Sequence, residues 1–127
     1  MSHITTIEVE VKDLQALEKA CERLGLTLAR GQTTFKWYGS QAAACAHAIK
    51  VPGANYEVGV VQKGRNFTLQ ADFFDYHLGG KVGPNGQKLI QAYAVEAAKA
   101  QARKQGYSVR EEAQADGTIV LRARVAA

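Results

Sequence analysis

Tryptophan and methionine occur once each in these 127 residues, proline and cysteine twice, and histidine three times. Two prolines are too few for a Pro-rich linker or ligand segment. The two cysteines, Cys21 and Cys45, belong to no C-x-x-C pair, so zinc knuckles and thioredoxin-like redox motifs are excluded. Cys21 falls on the apolar stripe of an expected helix and Cys45 in an expected strand, and both read as small buried hydrophobes. Sequence alone leaves their pairing open. His3, His47 and His77 follow no metal-ligand spacing, and neither a metal nor a cofactor is expected. Ser2, Ser40 and Ser108 lack a nucleophile-elbow context. No apolar run approaches the roughly 20 residues of a membrane-spanning helix. No charged-then-apolar leader opens the sequence, so a cytoplasmic protein without membrane contact is expected.

What is present is ordinary globular material. Hydrophobic residues make up 46% and charged residues 22%, enough apolar content to fold and too much for disorder. The length suits one domain spanning residues 1–127, with a core that needs no staples. A net charge of +4 permits contact with nucleic acid, an acidic partner or an anionic surface without demanding any of them.

Periodicity gives the order of elements. Ile7, Val9 and Val11 alternate with Glu8 and Glu10 as a half-buried strand. Asp13 is placed to cap a helix whose apolar face carries Leu14, Leu17, Cys21 and Leu24, and Gly25 stops it. Leu26 to Tyr38 reads as one extended segment, Gly39 to Ala43 as a loop, and Cys45 to Val51 as a short strand ending at the turn signal Pro52-Gly53-Ala54-Asn55. A two-residue turn at Gly64-Arg65 pairs Val60 with Leu69, Val58 with Ala71 and Tyr56 with Phe73, which puts every apolar partner on one face.

Gly79 to Gly86 reads as a glycine-rich connector into a long helix, Gln87 to Gln105. Leu89, Ile90, Tyr93, Ala94, Ala97 and Ala100 or Gln101 form the inner side of that helix, and Gly106 ends it. The last hairpin keeps odd residues opposite odd only with a three-residue loop, Ala115-Asp116-Gly117, in which Gly117 is left-handed. This register sets Glu111 against Leu121, an acid on the apolar face. The expected fold is α+β, a mostly antiparallel sheet packed against two helices in the order βαββββαββ.

Three constellations bear on function. The glycine-rich connector resembles a phosphate cradle in composition, but Gly86-Gln87-Lys88 departs from the Walker pattern and no dinucleotide fingerprint is present. A surface loop is therefore expected there, with a small-molecule or enzymatic site beside it as an alternative. Asp72, Asp75 and His77 place two carboxylates and an imidazole within six residues, a candidate proton-relay or metal site. Against this, Asp72 and Asp75 point to opposite faces of an extended segment. Basic and aromatic residues, Arg122 and Arg124 with Lys36 and Tyr38, could line a sheet face that binds single-stranded nucleic acid. Solvated strand faces are the plainer reading.

Met1-Ser2-His3-Ile4-Thr5-Thr6-Ile7, followed by Lys12-Asp13-Leu14-Gln15-Ala16-Leu17, opens a resemblance that spans essentially the whole chain. It continues through Tyr56-Glu57-Val58-Gly59, Leu69-Gln70-Ala71-Asp72, Gln91-Ala92-Tyr93-Ala94 and Gln105-Gly106-Tyr107-Ser108-Val109. It closes with Asp116-Gly117-Thr118-Ile119-Val120-Leu121. With these motifs the chain resembles the domain of unknown function 1257 family, the small proteins of hypothetical chloroplast reading frame 35. The sequence departs from plastid-type members at Gly79 to Gly86, where those carry tryptophan-rich sequence. The resemblance implies no activity, cofactor or catalytic residue. It implies occurrence in plastids, cyanobacteria, other bacteria and phages, hence a plastid stroma or phage-infected cytoplasm as further settings. It also implies an accessory role beside an AAA+ ATPase. The function expected is a non-enzymatic interaction or adaptor module that binds a protein partner or itself, with nucleic-acid binding through the basic face as the alternative.

Overall fold

Ile7 and Val11 of the first strand meet Val58, Val60 and Leu69 of the middle hairpin on one side of an antiparallel sheet. The structure, a computed structural model, describes residues 3–39 and 41–125; Ser2 and Ser40 lie outside the described residues. Five strands form the main sheet: β1 (Thr5–Val11), β2 (Thr27–Arg30), β5 (His47–Lys50), β6 (Val58–Lys63) and β7 (Asn66–Ala71). Their spatial order is β1-β7-β6-β5-β2, and every neighbouring pair is antiparallel. The β6–β7 register joins Val60 to Leu69 and Lys63 to Asn66, so Gly64-Arg65 is the two-residue turn that parity requires. The ladder stops at Gly59–Gln70, short of the expected pairs Val58–Ala71 and Tyr56–Phe73.

Helices α1 (Leu14–Arg23) and α3 (Gln87–Lys104) cover one face. Ile7, Val11, Val58, Val60, Leu69 and Ile49 from the sheet share a core with Leu17, Ala20 and Cys21 of α1 and Leu89, Ala92 and Tyr93 of α3. Removing such side chains from water is the main favourable term, about 1.5–3 kcal/mol for each large one. Asp13 caps α1 by accepting a hydrogen bond from the Ala16 amide at 3.1 Å, and the Tyr93 hydroxyl accepts from the Lys12 and Asp13 amides. Tyr93 thereby ties α3 to the turn that starts α1. The fold is α+β, as the pattern predicts.

Four local expectations need correction. The segment Leu26 to Tyr38 is two strands, β2 and then β3 (Thr34–Lys36), with a turn at Gly31 between them. The segment Gly39 to Ala43 is not all loop, because Ala42–Ala44 forms β4, which pairs with β3 in a separate two-stranded sheet. The glycine-rich connector is mostly helical: α2 spans Tyr76–Val82, and a single 3-10 turn spans Pro84–Gly86. Gly79 and Gly80 cost a helix about 1 kcal/mol each. Leu78 and Val82, four residues apart and fully buried, offset this with about 3–6 kcal/mol of burial. Finally, Ala94 of α3 is exposed, whereas Val95 and Glu96 are buried.

The last correction has its cause in the final hairpin. Strands β8 (Tyr107–Ala113) and β9 (Ile119–Val125) form a third sheet with odd-to-odd register from Tyr107–Val125 to Ala113–Ile119. The Gln114 amide donates to the Thr118 carbonyl at 2.8 Å across the expected three-residue loop. Gly117 in that loop has φ +89, a conformation glycine adopts without steric cost. The ribbon lies along a second stripe of α3. Gln91 donates to the Gly117 carbonyl and Lys99 pairs with Glu111, so Val95, halfway between them at helical spacing, is covered by the hairpin.

Candidate functional site

The β3–β4 hairpin covers the back of the main sheet, and a missing side chain lets it do so. Ala48 of β5 and Gly59 of β6 are register partners and leave a hollow on the face away from the helices. Phe35 of β3 fills it and is fully buried. A Cβ at Gly59 would stand 2.3 Å from the Phe35 ring, a distance that real contacts do not reach.

Glu57 fixes this layer from its edge. Its Oε1 accepts from the Lys36 amide at 3.0 Å and from Gln32 Nε2 at 3.1 Å, and Lys50 Nζ reaches Oε2 at 3.4 Å. Burial pushes the Glu57 carboxyl up, but these hydrogen bonds together hold it below the ordinary glutamate range. Glu57 is therefore committed to structure.

Beyond β7 the chain makes a polar-aromatic corner. Asp72 Oδ1 accepts from the Phe74 amide at 2.9 Å, a local Asx turn, while its buried Oδ2 accepts no hydrogen bond from any described residue. Asp75 caps α2: its Oδ1 accepts from the His77 amide and its Oδ2 from the Asn55 amide at 2.7 Å. Burial pushes this carboxyl up too, and the surrounding amides of Asn55, His77, Leu78 and Tyr56 more than reverse it. His77 Nδ1 stands 3.5 Å from Asp75 Oδ1, with its ring exposed and stacked on Tyr76 at 4.5 Å. Of the expected acid–imidazole set, Asp75 and His77 are brought together. Asp72 is turned into its own loop. Both Asp75 oxygens are already occupied by amides, which leaves it poorly placed to take a proton from a substrate. Among the described residues, no three His, Cys, Asp or Glu side chains converge as a metal site would require.

The same corner holds the largest exposed aromatics. Phe74 is 63% exposed, Tyr76 77% and Tyr38 48%. Tyr38 and Phe74 meet edge to face, with ring centroids 6.0 Å apart. Tyr38 thus joins the Phe74–His77 segment and not Arg122 and Arg124. Lys36 and Tyr38 belong to the β3–β4 region, while Arg122 and Arg124 stand on β9 in another sheet. On the β8–β9 ribbon the structure adds a residue that sequence reasoning passed over: Arg110 lies directly opposite Arg122. Parity was the available signal, since Arg110, Arg122 and Arg124 are all even in a register built on odd apolar positions. Phe74 and Tyr76 are further residues that sequence reasoning did not single out, because the segment around Asp72 and Asp75 reads as extended. Asp75 followed by a buried Leu78 carried the contrary signal of a capped helix start.

His47 and the two cysteines are structural. His47 Nδ1 accepts from the Gly31 amide at 2.9 Å and its ring rests on Phe67. Cys21 and Cys45 are both free thiols; the Cys45 Sγ donates to the Gln32 carbonyl at 3.3 Å. No described helix is long and apolar enough to cross a membrane.

Residues 20–121 match the model of a family described as "Protein of unknown function (DUF1257)". Neither the curated proteins nor the solved structures compared with the chain contain a match.

Proposed function

We propose a function from one premise: the chain belongs to the DUF1257 family, whose description names no activity. The protein is an interaction module that docks a protein partner on the corner formed by Tyr38, Phe74 and Tyr76. The observation that carries this reading is the exposure of Phe74 and Tyr76 on a rigid support. Asp75 caps α2 between them and also takes the Asn55 amide, so the rings are presented at low entropic cost. Clustered aromatics of this kind are what buried interface centres are enriched in. A solvated loop has no physical need to hold Tyr38 and Phe74 edge to face with Tyr76 exposed two residues on.

The accessory role beside an AAA+ ATPase, implied by the family resemblance, is the specific form of this reading. The test is affinity capture of the tagged chain from its native host followed by mass spectrometry, with light scattering on the purified protein. Wild type should retain a protein partner or self-associate, and Phe74→Ala with Tyr76→Ala should abolish this while melting at the wild-type temperature. Equal capture by the double variant overturns the assignment.

A further inference from the structure

We propose that the outward face of the β8–β9 ribbon binds the phosphodiester backbone of single-stranded nucleic acid. This is independent of the docking corner. The register places Ser108 opposite Arg124 and Arg110 opposite Arg122, with Glu112 opposite Val120, and all six residues share the face away from α3. Like charges directly across a ladder destabilise it, so folding alone does not call for two opposed arginines. A single carboxylate holds them: Glu112 Oε1 takes Arg110 Nη2 at 2.9 Å and Oε2 takes Arg122 Nε at 2.6 Å. Each guanidinium carries five N–H donors in a planar fork, so this bridge orients the two groups and leaves most of their donors free. Arg124 enters no ion pair among the described residues. Three guanidinia against one carboxylate leave the face positive.

The wider charge distribution agrees. Residues 99–127 hold six Lys and Arg against three Asp and Glu, and therefore three of the four net positive charges of the chain. Arg103 and Lys104 are exposed at the end of α3, where the chain enters β8. Guanidinium forks match phosphate oxygens in pairs. A single strand is favoured over a duplex by shape. The ribbon lies flat on α3 and does not project, so it cannot enter a major groove about 12 Å wide, whereas a flexible strand can lie along it.

The test is fluorescence anisotropy of the full chain with an oligo-dT of about 16 nucleotides, with the matching duplex and a poly-glutamate peptide as parallel ligands. Binding to oligo-dT should weaken between about 50 and 200 mM salt with a log–log slope near −2, as about three neutralised phosphates at ~0.7 each require. Arg110→Gln, Arg122→Gln and Arg124→Gln together should weaken it by about 10-fold or more and flatten that slope. If the triple variant does not fold, Arg124→Gln alone, which breaks no ion pair among the described residues, should still weaken binding severalfold and lower the slope by up to one. Lys19→Gln, Lys63→Gln and Arg65→Gln remove the same charge elsewhere on the surface and should leave affinity within about 3-fold. The proposal fails if the folded hairpin variant binds as wild type does, or if the distant variant loses as much. Tighter binding of the duplex or of poly-glutamate than of oligo-dT also overturns it, and would assign the face to those partners instead.

Discussion

Glu57 and Lys36 are joined by two hydrogen bonds that run in opposite directions. The Glu57 amide donates to the Lys36 carbonyl at 3.0 Å, and the Glu57 carboxylate accepts from the Lys36 amide at 3.0 Å. The lead-in to β6 thereby clasps β3, and with it the layer that Phe35 anchors. Replacing Glu57 by Ala leaves the part-buried donors of Lys36 and Gln32 without their acceptor and should lower stability by about 1–3 kcal/mol. The carboxyl has a folded pKa below its unfolded value, so its contribution is fully present above the unfolded pKa and is lost as pH falls through the folded one. Glu57→Gln should accordingly flatten the acid limb of a plot of urea midpoint against pH. An unchanged acid limb would show that the clasp does not discriminate between charge states.

Gly59→Ala is expected to be among the most damaging single-methyl additions in the chain. The new Cβ meets the Phe35 ring at 2.3 Å, and backbone on both sides limits escape, so overpacking should cost about 1–3 kcal/mol. Phe35→Ala empties the same hollow and should cost about 3–5 kcal/mol. The pair tests the contact directly. Since Phe35→Ala removes the clash, Gly59→Ala should cost much less in that background. Additive losses in thermal melts would refute the packing described.

Both hairpin registers were legible because parity alone fixes them: Val60 must face the side of Leu69, and Tyr107 the side of Val125, whatever lies beyond. The back layer was not legible, since its key is the side chain Gly59 lacks, and an absent atom leaves no periodic trace. Helix α2 was hidden because Gly79 and Gly80 argue locally against a helix, while the burial of Leu78 and Val82 that outweighs them is a tertiary effect. Ala94 and Val95 exchanged roles for a related reason. Alanine suits close packing, but which stripe of α3 is covered depends on the hairpin that follows it. At the candidate site, Asp75 and His77 could be read as neighbours. Tyr38, 36 residues upstream of Phe74, could not be placed beside it from sequence.

The thiols should differ in reactivity. Burial, with Glu18 and Glu22 adding to it, pushes the Cys21 thiol up to about 12. Cys45 is also raised by burial, but is only half-buried. The thiolate is the reactive form, so an aromatic disulfide reagent at neutral pH should label Cys45 slowly and Cys21 only on unfolding. Labelling of Cys21 at a rate that matches Cys45 in native buffer would contradict the burial of α1.

The acid that breaks the apolar face of the last hairpin is the residue that fastens it. Glu111, opposite Leu121, accepts from both terminal nitrogens of Arg23 at 2.9 and 2.8 Å and from Lys99 at 2.7 Å. Arg23 also reaches Glu96 at 3.1 Å, so two cations and two anions bridge α1, α3 and β8. The hydrogen bonds from Arg23 and Lys99 bring the Glu111 carboxyl down to about 2. Because the folded value lies below the unfolded one, near 4.5, this fastening is complete above about 4.5 and is lost as pH falls towards 2. The ribbon shares no strand pairing with the main sheet, so its attachment to α3 should weaken before the core opens. Hydrogen exchange at pH 3 should therefore show residues 107–125 losing protection ahead of β6 and β7, and Glu111→Gln should produce the same pattern at neutral pH. Simultaneous loss of protection across the whole chain would mean that the ribbon and the core unfold as one unit and that this ion cluster does not govern a separate step.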